Sequence, residues 1–76
     1  MPIHQIAKIQ NQDKVVLEFK ELKDPNTILV TEIVVTLEKG KWKTFPVSER
    51  VMRTSDARVL WVQKKKEGFV IVSSEN

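Results

Sequence analysis

Residues 27–38 would place apolar side chains on both faces of a strand, with Leu29, Ile33, Val35 and Leu37 on one side and Ile28, Val30 and Val34 on the other. A strand that is apolar on both sides needs cover on both sides. The chain has only 76 residues with which to provide it, and domains this short bury a small share of their surface. Three sources of cover are open: a sheet that wraps back on itself, a short helix, or another chain.

The punctuation around that segment marks further strands. Asn11-Gln12-Asp13 is a polar break, and Asp24-Pro25-Asn26-Thr27 has turn formers at each position that needs one. The only two glycines lie at Lys39-Gly40-Lys41 and Lys66-Glu67-Gly68 and read as hairpin tips, because glycine reaches positive φ without a Cβ clash. Between the breaks lie β-branched and aromatic runs at 3–9, 14–22, 27–38, 41–47, 58–64 and 69–73. The run 14–22 alternates most clearly, with Val15, Leu17 and Phe19 on one face and Glu18 and Lys20 on the other. Pro46 has no N–H to give a ladder, so 41–47 is an edge strand or ends there. If Lys39-Gly40 is a two-residue loop, Leu37 faces Trp42 and Val34 faces Phe45.

The fold class that follows is all-β: a small antiparallel barrel or sandwich of five to six strands within residues 1–76, with one short helical turn in 48–56. The alternative is α+β, with a helix over 56–67. In that reading Ser55 is the N-cap, Ala57, Leu60 and Trp61 form the buried face, and Gly68 ends the helix. The four-residue run Val59-Leu60-Trp61-Val62 fits either period, and the hairpin is the favoured reading.

The reactive inventory is thin. The chain has no cysteine and one histidine, His4, so the usual transition-metal ligand sets cannot be assembled from one copy. None of the four serines lies in a nucleophile elbow, and two isolated glycines build no phosphate loop. We therefore expect no enzyme activity, no cofactor and no small-molecule substrate. The longest apolar runs are four residues, against the roughly 20 a membrane span needs. Without the basic start and apolar stretch of a signal peptide, the chain is expected in the cytoplasm, with no membrane partner.

What remains is surface, and two features stand out. The doubly apolar strands make Ile28, Val30, Val34, Leu60, Val62, Val70 and Val72 candidates for a protein-contact or self-association face. Charge is uneven: residues 1–38 carry four lysines against six acids, and residues 39–76 carry nine basic residues against four acids, within a net charge of +3. Basic residues lie close to aromatic ones in the second half. Lys39, Lys41, Trp42, Lys43, Trp61, Lys64, Lys65 and Lys66 are accordingly candidates for binding nucleic acid, lysines on phosphates and rings on bases. The expected function is a non-catalytic binding module acting through a protein partner or a second copy, with nucleic acid as the alternative partner.

Overall fold

A computed structural model describes the backbone of residues 3–75 and the side chains of residues 3–72. Six elements follow in order: β1 (Ile3–Gln10), β2 (Asp13–Glu21), β3 (Thr27–Glu38), β4 (Lys41–Arg53), α1 (Thr54–Lys66) and β5 (Val70–Glu75). The strands form one sheet in the order β4-β3-β2-β1-β5, and every neighbouring pair is antiparallel. The first four strands are a meander. β5 adds beyond β1 and runs in the same direction as β4, so the connection between those two must cross the sheet, as same-direction strands require. That crossing is α1.

The turns form where the sequence marks them. Asn11-Gln12 closes β1 onto β2 with Asn11 at φ 58°, a conformation asparagine tolerates better than most residues. Asp24 accepts a hydrogen bond from the Asn26 amide through its side chain, and its carbonyl accepts one from the Thr27 amide. Lys39 and Gly40 both adopt positive φ, 52° and 78°, which is the pattern of a type I′ hairpin. The register that such a turn imposes puts Leu37 opposite Trp42 and Val34 opposite Phe45. It holds as far as Pro46, and Val47 is then the extra residue of a β-bulge between the Ile33–Pro46 and Glu32–Ser48 pairs.

Two expectations are corrected. Residues 48–53 continue β4 and contain no helical turn, and residues 58–64 lie in α1, not in a hairpin strand. The open sheet with one helix on it corresponds to the α+β alternative, and it closes into neither a barrel nor a sandwich within the chain. The helix begins one residue before the expected cap: Arg53 takes the N-cap position without a side-chain cap. Instead, the Thr54 hydroxyl donates to the Pro25 carbonyl and the Thr54 amide to the Asn26 carbonyl, fixing the first turn to the β2–β3 loop. At the other end, the Gly68 amide donates to the Lys65 carbonyl and the Phe69 amide to the Lys64 carbonyl. These two bonds are a Schellman cap, and Gly68 at φ 110° is not a hairpin tip.

The helix fills one side of the sheet. Ile6, Leu17, Phe19, Ile28 and Val30 point to this side and are buried with Ala57 and Phe69. Trp61 packs edge-on against Phe19, with ring centroids 5.2 Å apart, and against His4 at 6.1 Å. Val59 and Val62 face outward, 65% and 52% exposed, so the helix buries the Ala57–Leu60–Trp61 stripe and leaves its β-branched residues in solvent.

Candidate protein-contact face

Among the described residues no element packs over the side of the sheet away from the helix. Because opposed residues share a face, the register assigns its side chains row by row. One row runs Pro46, Ile33, Val16, Ala7 and Val70 across all five strands. The next row towards the Lys39-Gly40 turn is Thr44, Val35, Lys14 and Ile9, and beyond it lie Trp42 and Leu37. In the other direction come Glu49, Thr31, Glu18 and Gln5, and then Val51, Leu29, Lys20 and Ile3.

The central row is wholly apolar. Ala7 and Val16 are only 3% and 9% exposed although neither belongs to the helix-side core. Elsewhere on the face Ile9, Leu37, Trp42, Val51 and Val70 are exposed. Among the polar residues of the face, Gln5 donates through Nε2 to Glu18 Oε2 at 2.9 Å, which holds that carboxylate in place. Apolar side chains left exposed together on one face of a sheet are candidates for a contact site.

The edges of the sheet are less inviting. β4 is exposed along nearly its whole length, but it carries Lys41, Lys43, Arg50 and Arg53 as well as Pro46 and the bulge at Val47. Those features hinder strand addition. The surface available for contact is therefore the face.

The residues singled out from sequence are scattered. Ile28 and Val30 are buried in the core, and Leu60 and Val34 are half-buried on the helix side. Of these four, Ile28 and Val30 lie under the helix and Leu60 packs against the same core. Val62 is exposed on the outer side of the helix, Val70 lies on the open face, and Val72 is an exposed residue of the edge strand β5. Sequence reasoning missed Ala7, Val16 and Ile33 as the centre of the face. The period-2 pattern contains them, but only the strand order lines them up.

The basic candidates divide in the same way. Trp42 is 64% exposed near the tip of the β3–β4 hairpin, beside Lys39, Lys41 and Lys43. As alternate strand residues, Lys41 and Lys43 project to the side opposite Trp42, and Lys43 is paired with Glu38 at 3.2 Å. Trp61 faces inward. Lys64 is engaged with Glu67 at 3.5 Å, and its ammonium lies 5.7 Å from the Phe69 ring centroid. The two groups, one on α1 and one on the hairpin, do not converge on a single groove.

Between helix and sheet a cleft of about 300 Å3 opens, lined by His4, Phe19, Glu21, Ile28, Arg58 and Trp61 among others. Among the described residues no cluster of three or more His, Asp or Glu side chains is placed to hold a metal ion. No described helix is long and apolar enough to cross a membrane. No protein-family model, no curated protein and no solved structure matches this chain.

Proposed function

We propose that this chain is a non-catalytic binding module that works by protein contacts through the open face of its sheet. One observation carries the reading: among the described residues no element packs over the apolar row Pro46–Ile33–Val16–Ala7–Val70, whose ends Pro46 and Val70 are exposed although Ala7 and Val16 are buried among their neighbours, and Trp42, Leu37 and Ile9 stand exposed on the same face. Area removed from water gains about 25 cal/mol per Å2, so a protein surface laid over the exposed apolar residues of this face is stabilised by their burial.

Ile33→Glu tests the reading. The substitution puts a charge at the centre of the face and spares the helix-side core. The variant should keep its circular dichroism spectrum and melting behaviour while its association, with itself or with a purified partner, weakens about 10-fold or more, since an unpaired buried charge is strongly unfavourable. Unchanged association in a folded variant would remove the face from the function.

A second reading rests on Trp42. An exposed indole at the tip of a hairpin that carries lysines is a workable site for single-stranded nucleic acid, with the base stacked on the ring and the backbone near Lys39 in the turn. Trp42→Ala should then weaken binding of a labelled oligonucleotide by about 1–3 kcal/mol, and binding should fall steeply with salt. An absence of binding at low salt disposes of it.

A further inference from the structure

We infer that the partner on the open face is a second copy of this chain, packed sheet to sheet about a twofold axis that lies across the strands over the Ala7–Val16–Ile33–Pro46 row. This rests on the contact-face reading above and specifies its occupant. The residue pattern of the face has the symmetry that such a contact requires. A twofold contact must be self-complementary, so that residue i meets residue j and j meets i. An axis perpendicular to the strands leaves each strand facing its own copy and exchanges the rows on either side of the centre.

Under that exchange the central row meets itself: Val16 on Val16 and Ile33 on Ile33, with the small Ala7 letting the two sheets approach. The row of Lys14 meets the row of Glu18, so on β2 a cation faces an anion twice, once in each direction. The outer rows bring Leu37 over Leu29 and Trp42 over Val51, apolar on apolar. Glu49 faces Thr44, and Lys20 faces the Asn11-Gln12 turn. No two like charges are opposed. An axis laid along β2 fails this requirement, because it stacks Lys14 on Lys14 and Glu18 on Glu18.

The dimensions are sufficient. Strands spaced about 4.8 Å apart, with same-face rows about 6.8 Å apart, give the five rows, two to five strands wide, roughly 500–600 Å2 per copy. Two copies then bury about 1,100 Å2, above the roughly 1,000 Å2 a specific interface needs. Sheets packed face to face cross at about 30°, which displaces residues one row from the axis by only about half their 6.8 Å row spacing. Lysine and glutamate side chains span that offset. The guarded β4 edge argues for face packing over edge pairing.

The test exploits Lys14 and Glu18. They lie four residues apart on one strand, about 13 Å, and cannot pair within one copy. Lys14→Glu places glutamates opposite glutamates in the dimer, and Glu18→Lys places lysines opposite lysines. Each variant alone should show a dimer dissociation constant raised about 10-fold or more. Mixed in equal amounts, they should form a heterodimer, since every contact then joins a glutamate to a lysine. Light scattering and native mass spectrometry on wild type, each variant and the mixture read this directly, with circular dichroism confirming that each folds. A wild-type chain that stays monomeric at high micromolar concentration overturns the proposal. So does a wild-type dimer whose variants fail to complement each other. In the monomeric case the contact-face reading survives if Ile33→Glu still abolishes binding to a different purified protein, so the two failures are distinguishable.

Discussion

Phe19→Ala is expected to lower the unfolding free energy by about 3–5 kcal/mol, the range for removing a buried phenylalanine ring. Phe19 lies in the second half of β2, is 5% exposed and packs nearly at right angles to Trp61. Its ring joins the sheet to the helix, so its loss leaves a cavity between the two layers. A chain of this length commands about 4–11 kcal/mol in total, and the variant loses a large part of it. Urea titration followed by tryptophan fluorescence measures the change. Trp61 should report it strongly and the already exposed Trp42 weakly. A loss below about 1 kcal/mol would mean that the helix is not packed on β2 as described.

Gly68→Val should cost about 2–3 kcal/mol, because a β-branched residue is forced into positive φ at a position where only glycine is at ease. Gly68 sits at φ 110° and closes the helix. A Cβ there would also lie 3.4 Å from Lys8 Cε, while Lys8 Nζ donates to the Glu67 carbonyl at 2.7 Å. The substitution therefore strains the backbone and disturbs the contact that holds the helix end to β1. Gly68→Asn, which tolerates positive φ better, should recover part of the loss. Thermal melts of the three proteins decide the matter, and equal melting temperatures for valine and glycine would count against the Schellman cap.

The meander was legible because its signals are local. The β2 alternation of Val15, Leu17 and Phe19 names the side facing the helix, and the Lys39-Gly40 turn fixes the β3–β4 register over several residue pairs. That register ends at Val47, since a bulge depends on how the strand fits its neighbour. The helix was misread for a different reason. Val59-Leu60-Trp61-Val62 is too short to separate period 2 from period 3.6, and the exposed valines weaken the helical pattern. The helix follows from topology: the chain must cross the sheet to bring β5 beside β1. The two-sided character of β3 was plain from residue order, but which side is covered was not. Ile28 and Val30 face the helix, while Leu29 and Ile33 face outward, a division that depends on the helix docking on one side. The contact candidates drawn from residue order therefore fall on both sides of the sheet and on the helix.

The crossover also determines how the far edge of the sheet is guarded. β4 defends itself with lysines, a proline and a bulge, whereas β1 carries one lysine, no proline and a long run of regular pairing to β2. Left bare, β1 would be a template for aggregation. Its guard is the short β5, with a register break of its own next to Ile6, delivered last by the helix from the opposite edge. During synthesis, therefore, the meander precedes its own protection, because β5 is made after the four strands whose border it covers.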